Sequence, residues 1–401
     1  MKLKHKHTIY ASYFGYITQA IVNNFAPLLF IIFENKYNIP LEKITLLITV
    51  NFCVQLTVDF ISAKTADKIG YRRCIIAAHI FAAAGLAGLS IFPSIFSDPY
   101  AGLMLAVIIY AIGGGIIEVL ISPIVEACPT DNKASVMSLL HSFYCWGSLG
   151  VVLISTVFMH FFGKDSWNIL SFIWAAVPAV NAVVFSKVPI EQLTEEGEAI
   201  PVRKMFTMKI FWIFVILMIA AGASELAMSQ WASSFAEKGL GISKTAGDLA
   251  GPCFFALLMG CARVFYAKFS EKVRLLDFII GSAVLCVISY LIASLSPIPI
   301  LSLAACGLCG LSVGILWPGV FSIASAKYPK GGTAMFAFLA LAGDVGCSSG
   351  PTLVGFAAGM FNDDLKKGLL SAIIFPLIII TLGMIYSHIE KKEHTHENHN
   401  P

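Results

Sequence analysis

From about residue 8 to about residue 388 the chain is a succession of apolar stretches separated by short polar turns. A helix that crosses the hydrocarbon core of a bilayer needs about 20 consecutive apolar residues. By that measure the chain predicts twelve spans, at roughly 8–33, 43–64, 73–94, 101–127, 134–162, 167–187, 209–236, 246–268, 274–296, 298–326, 331–360 and 367–388. The sequence is 57% hydrophobic and 13% charged, against about 45–50% and about 25% for a soluble domain. The expected class is an all-α polytopic membrane protein. The start, MKLKHKH, leads into an apolar segment too long for a signal-peptide core, so it reads as a retained first span.

The longest polar interruption, about 188–208, separates six spans from six. The expected organisation is an N-terminal six-helix bundle over 1–187, a cytoplasmic linker over 188–208, a C-terminal six-helix bundle over 209–390 and a disordered tail over 391–401. Glu195, Glu196 and Glu198 read as a solvated linker face. The halves echo each other at an offset of about 200: Gly114, Pro129 and Gly150 meet Gly314, Pro329 and Gly350, and Lys68 and Arg72 meet Lys268 and Lys272. Such pseudo-symmetric halves place a substrate site near the midplane between them. With the N-terminus inside, about 19 of the 27 lysines and arginines fall on the cytoplasmic side. The positive-inside rule therefore puts both termini in the cytoplasm.

Charge inside the spans carries the chemical information. GGGIIEVLISP, Gly113–Pro123, holds one glutamate in an apolar run. A charge at mid-bilayer costs about 2.5–3.5 kcal/mol on insertion scales, and such residues mark ion or substrate paths. Gly114, Glu118 and Ser122 share a helix face at i, i+4, i+8. Pro123 frees a backbone carbonyl one turn back. Ser138, His141, Ser142 and Cys145 form a polar stripe on the fifth span. Glu225 and Ser229 share a face with Ser233 on the seventh, beside Gln230 and Trp231. Asp344 lies near the middle of the eleventh, in ALAGDVGCSSGP. Asp59 sits toward the cytoplasmic end of the second span, and Arg263 lies inside the eighth. Each acid also has a plain structural reading, as a partner of serines or of Arg263 that fixes helix packing. Trp146, Trp231 and Trp317 have flat faces that suit a sugar ring and equally suit packing. The ten cysteines lie in or beside apolar segments and read as small core residues, Cys306 and Cys309 included.

Ala63–Arg73, AKTADKIGYRR, at the second turn resembles the G-x-x-x-D-R/K-x-G-R-R/K signature of the major facilitator superfamily. Ala63 stands for the first glycine, and Tyr71-Arg72-Arg73 for the basic run. The resemblance implies a breakable cytoplasmic latch built on Asp67, Lys68, Gly70, Arg72 and Arg73, with Asp59 beside it. A faded copy, Gly260 to Lys272, adds Arg263. The block Gly115–Gly150 is similar to the fucose–proton symporter branch of that superfamily. There Glu118 fits, Ser122-Pro123 replaces Asn-Pro, and His141 and Trp146-Gly147 fit. Gln19, Asn23 and Asn24 resemble that branch's first helix. The branch has an aspartate three residues after the second asparagine, where this chain has Pro27; the other buried acids are the candidates to stand in.

The resemblance implies a secondary transporter. Its expected activity is alternating-access uptake of a small polar solute, a monosaccharide, with a proton, or sodium, as coupling ion. Coupling falls to Glu118, His141, Glu225 and Asp344. Solute binding falls to Gln19, Asn23, Asn24, Ser122, Trp146, Ser229, Gln230, Trp231 and Trp317. The expected setting is the cytoplasmic membrane, as a monomer with no cofactor, no metal and no nucleic-acid partner; a net charge of +3 gives no footprint for one. Two alternatives stand: a proton-coupled exporter of amphipathic compounds, and a non-transporting membrane sensor on the same fold. No GxSxG, HExxH or P-loop pattern points to an enzyme. The topology is testable. A reporter that is active only in the cytoplasm should work when fused at either end, and activity of a periplasm-specific reporter there would invert the orientation.

Overall fold

The computed structural model describes residues 3–39, 41–193, 199–232, 235–236, 240–241, 249–362 and 364–397. Glu195, Glu196, Glu198, Ser233 and residues 398–401 lie outside them. Among the described residues the regular structure is helical, with no strand. The first seven helices are α1 (His5–Leu28), α2 (Phe30–Tyr37), α3 (Leu41–Ile69), α4 (Tyr71–Ile95), α5 (Pro99–Ala127), α6 (Lys133–Phe162) and α7 (Trp167–Lys187). After the short α8 (Val202–Met205) come α9 (Lys209–Ser229), α10 (Phe254–Phe269), α11 (Leu275–Leu295), α12 (Pro299–Val313), α13 (Leu316–Lys327), α14 (Gly332–Met360), α15 (Leu365–Ser371) and α16 (Ile374–Glu397).

Ten helical segments among the described residues are long and apolar enough to cross a bilayer. The first of the ten is α4, so α1 and α3, at the first two of the twelve expected spans, are not among them. Both are long, but they carry Gln19, Asn23, Asn24, Asn51, Gln55 and Asp59, which lower their hydropathy. Of the expected tail over 391–401, residues 391–397 are described. Helix α16 continues to Glu397, because Glu390, Lys391 and Lys392, at the junction with the tail, are strong helix formers. Arg274 pairs with Glu390 and holds that last stretch.

Among the described residues three interruptions of expected spans lie near prolines, and the proline accounts for two of them. Proline has no N–H, so the carbonyl four residues back loses its helical donor. Pro318 stands four residues after Gly314, where α12 gives way to α13. Pro376 stands four residues after Ala372, between α15 and α16; there the Phe375 N–H donates to the Ala372 carbonyl instead, at 3.1 Å. The third break follows Pro27, at Leu29 between α1 and α2. A π-turn over Leu249–Cys253, with Pro252 inside it, leads into α10.

The described residues fall into two compact units. One is drawn from Met1–Asp131, Phe143–Ala199 and Lys330–Phe338, the other from Asn132–Ser142, Ile200–Pro329 and Leu339–Pro401. In the first unit α5 packs on α4, α3 and α1, and α7 packs on α4 and α1. In the second, α12 packs on α10, α11 and α9, and α16 packs on α9 and α11.

The three glycines of GGGIIEVLISP explain why α5 is central. Successive helix positions turn by about 100°, so the three face different neighbours. A Cβ on Gly113 would lie 2.5 Å from the Ala78 carbonyl oxygen of α4, one on Gly114 3.1 Å from Gln19 Oε1 of α1, and one on Gly115 3.0 Å from Val58 Cβ of α3. In the second unit α14 approaches α9 as closely. A Cβ on Gly346 would meet the Ile219 carbonyl oxygen, and one on Gly350 would lie 2.5 Å from that of Ala223. Small residues spaced four apart let helix backbones approach and gain dispersion where lipid supplies no hydrophobic drive.

This packing predicts a contrast. Gly346→Val should cost about 1–3 kcal/mol through overpacking. Gly281→Ala, with nothing within 4 Å of the new methyl, should stay within about 0.5 kcal/mol. Thermal unfolding of the purified variants in detergent measures both, and equal midpoints would contradict the close α9–α14 approach.

Candidate functional site

The first unit contains a hydrogen-bonded polar network contributed by four helices. Gln19 of α1 donates from Nε2 to Gln55 Oε1 of α3 and to Glu118 Oε2 of α5, both at 2.9 Å. Gln55 donates to Asn23 Oδ1 at 2.9 Å, which also accepts from Asn51 Nδ2 at 3.3 Å. Asn23 Nδ2 reaches the Tyr144 hydroxyl of α6 at 3.5 Å. Asn24 donates to the Ala20 carbonyl at 2.8 Å and to Ser148 Oγ at 3.1 Å. The hydroxyls of Tyr16 and Ser122 lie 3.0 Å apart.

Helix periodicity builds this network. Gln19 with Asn23, Asn51 with Gln55, Glu118 with Ser122, and Tyr144 with Ser148 are each spaced i, i+4, so each pair shares one face of its helix. The expected Gly114–Glu118–Ser122 face of α5 is turned toward α1, with Gly114 leaving room for the Gln19 and Gln55 amides. Gln19, Gln55 and Asn51 are buried, whereas Glu118, Asn23 and Tyr144 are half-buried. The buried amides hold the half-buried groups in place. Amides both donate and accept, and a carboxylate accepts charge-assisted bonds. The set therefore offers donors and acceptors together and keeps a carboxyl in a polar setting.

The second unit gathers a different group around Arg263 of α10, which is 3% exposed. Its Nε donates to the Gly314 carbonyl at 2.8 Å. That carbonyl is the one Pro318 cannot serve, so the guanidinium replaces the missing backbone donor. Its Nη1 donates to the His141 carbonyl at 2.8 Å, and its Nη2 lies 3.7 Å from Glu225 Oε2. The Ser138 hydroxyl donates to the Arg263 carbonyl at 2.7 Å. Arg263, expected as part of a latch, thus sits with Glu225 and His141. The buried His141 ring lies 5.8 Å from that of Phe321.

Of the other expected residues of this unit, Trp317 lies 6.3 Å, ring to ring, from Phe321. Gln230 is exposed, just past the half-buried Ser229 that ends α9. The Trp231 indole N–H donates to the Pro351 carbonyl at 3.0 Å, and its ring lies against Gly355. The Trp317 ring lies against Gly343. These are packing contacts. Asp344 is half-buried on α14, where its carbonyl accepts from Ser348 at 3.1 Å. Trp146 is half-buried on α6 in the first unit.

At the turn between α3 and α4, Gly70 has φ +91°. Side-chain-bearing residues rarely adopt that conformation, which gives the motif glycine its physical reason. The Thr333 hydroxyl donates to Asp67 Oδ1, and the Tyr71 hydroxyl bonds to Thr333 in turn. Arg72 donates to the carbonyls of Phe185 and Ser186 at 3.0 Å and of Val188 at 2.8 Å. It therefore caps the C-terminal end of α7, where a cation suits the helix dipole. Gln192 donates to the Asp67 carbonyl at 3.1 Å. Lys68 and Arg73 are exposed, while Asp59 is buried within α3.

Tyr16, Asn51, Gln55, Tyr144, Ser148 and Thr333 were not anticipated. The i, i+4 pairing of Asn51 with Gln55 and of Tyr144 with Ser148 is the signal that marks four of them. Tyr16 and Thr333 lie in segments whose sequence singles out neither.

The chain is similar to the E. coli fucose:proton symporter FucP, solved as a single-substitution variant, with TM-score 0.78 and 13% identity over 95% of this chain and 98% of that one. A FucP structure in the outward conformation gives TM-score 0.81 and 14% identity over 94% and 98%. The proton:xylose symporter XylE, bound to 6-bromo-6-deoxy-D-glucose, gives 0.77 and 13% over 94% and 93%. At such identities the likeness is one of fold. No curated protein sequence matches the chain. The sequence profile of the Major Facilitator Superfamily matches residues 12–351, nearly the whole helical chain, and this multi-pass membrane protein belongs to that superfamily of transporters.

Proposed function

We propose that the protein is a secondary active transporter that takes up a small polar solute, a monosaccharide, together with a proton by alternating access. The observation that carries this reading is the amide–carboxylate network of Gln19, Gln55, Asn23 and Glu118 in the first unit. A row of amides beside one carboxyl suits a neutral, hydroxyl-rich ligand. The symporters of similar fold, described as fucose:proton and proton:xylose, support the same class.

In this reading Glu118 carries the coupling proton. The half-buried carboxyl takes up a proton from one side and releases it to the other. Its bond from Gln19 links its charge state to the Gln55–Asn23 row that receives the solute. His141, Glu225 and Asp344 form the second titratable set, with Arg263 holding Glu225 and the His141 carbonyl. Asp67, Thr333 and Tyr71 form the breakable latch, and two bundles, 1–187 and 209–390, alternate about the site with both termini in the cytoplasm. Coupling requires solute and proton to favour the same conformational switch, since a ligand with equal affinity for both states shifts nothing.

Two outcomes test this reading. In proteoliposomes with an inward pH gradient of one unit, one proton is worth about 1.4 kcal/mol, or about tenfold accumulation. Wild type should concentrate a labelled hexose or 6-deoxyhexose by about that factor, and Glu118→Gln should equilibrate it without concentrating it. Tenfold accumulation by the variant would remove Glu118 from the mechanism. The Arg263 group is tested by stability. Arg263→Leu should cost about 3 kcal/mol, as it leaves the buried Gly314 carbonyl and the half-buried Glu225 without their cation. Adding Glu225→Gln should recover part of that loss, whereas strictly additive costs in the cycle would dissolve the pair.

A further inference from the structure

The lipid-facing surface of the first unit is not uniformly convex. Between α1 and α7 runs an open crevice of about 490 Å³, lined by residues from Leu3 to Phe14 on one side and from Ala176 to Val188 on the other. Its walls are almost wholly apolar, with Tyr10, Phe14 and Val180 exposed along them. Two bonds fix its width. Asn181 Nδ2 donates to the Ala11 carbonyl at 3.0 Å, and the Thr8 hydroxyl donates to the Pro189 carbonyl at the end of the groove. Asn181 is itself held by the buried His79, whose Nε2 lies 2.9 Å from the same amide nitrogen. The groove is thus braced rather than a gap between sliding helices.

Its length is informative. Twelve residues of α7 at about 1.5 Å per residue span about 18 Å, roughly one leaflet of a hydrocarbon core about 30 Å thick. One end of the groove opens at the N-terminal residues. His7 lines that end, the exposed Lys4 and Lys6 adjoin it, and the exposed Lys187 ends α7 beside it. Among the described residues, the acid Glu191 near this end lies 3.4 Å from His5. An apolar groove of leaflet length that opens among lysines matches one kind of partner.

We propose that this crevice binds an anionic phospholipid. One acyl chain lies between α1 and α7, and the phosphate-bearing headgroup sits among Lys4, Lys6 and Lys187. Basic pockets between helices at a membrane surface select anionic headgroups, and each lysine adds electrostatic attraction. The lysine stems lie along the groove mouth while their ammonium groups stay at the interface. The bound lipid would brace α1, the helix that carries Gln19 and Asn23.

The test uses purified full-length protein in detergent, supplemented with dioleoyl phosphatidylglycerol or dioleoyl phosphatidylcholine. Phosphatidylglycerol should raise the unfolding midpoint by several degrees more than phosphatidylcholine, and native mass spectrometry should retain one phosphatidylglycerol per chain. The triple variant Lys4→Gln, Lys6→Gln, Lys187→Gln should lose the preference while keeping its midpoint without added lipid. Val180→Trp, which fills the exposed groove, should lose the retained lipid with its lysines intact. Equal shifts with the two lipids would overturn the proposal, as would a preference that survives both variants. A dimer that Val180→Trp dissociates would assign the groove to a second copy instead. None of these readouts depends on the solute, so failure here leaves the transport reading standing.

Discussion

Lipid offers no hydrogen bonds, and that one constraint organises this molecule. Each buried N–H and carbonyl must find its partner within the protein, which leaves helices as the form its long apolar segments adopt. The constraint bites hardest where the helices fail. Pro318 strips the Gly314 carbonyl of its helical donor, and Arg263 reaches across from another helix to supply one. Placing a guanidinium there creates a second requirement, a counter-charge, and Glu225 lies 3.7 Å away. One proline thus accounts for a broken helix and for the seat of a buried cation, and the cation accounts for an acid beside it.

The same constraint shapes the polar network of the first unit. A lone glutamate on α5 would be costly, but Gln19 donates to it and is itself tied to Gln55 and through that to Asn23. The network closes only because the helices stand very near one another. Gly113, Gly114 and Gly115 let α4, α1 and α3 approach one stretch of α5. In GGGIIEVLISP the glycines and the glutamate are parts of one device: the first bring the helices close enough for neighbouring amides to reach the second. Polar function and small-residue packing therefore occupy the same stretch of sequence.

The turn between α3 and α4 shows how a motif divides its labour. Gly70 is required by its backbone conformation. Asp67 accepts from Thr333, a residue far away in sequence. Arg72 caps the end of α7 and ties the turn to the start of the linker. Three residues that read as one latch motif thus do three different things.

Much of the architecture was legible in the residues themselves. Hydropathy along the chain is a local property, so helix positions such as 167–187 emerge from it directly, and the i, i+4, i+8 face of Gly114, Glu118 and Ser122 follows from helix geometry alone. The helix breaks were less legible, because proline acts on a carbonyl four residues away and its effect depends on what else can serve that carbonyl. The partners were not legible at all. That Gln55 and Asn51 join Glu118's network, that Arg263 sits with Glu225 and His141, and that Trp231 and Trp317 rest on glycines of α14 are facts of rotation and proximity between helices. A sequence states which groups a helix carries on each face. Which faces meet is decided by close packing among all the helices together, and in a membrane, where apolar surface is content on every side, the buried polar groups and the small residues make that decision.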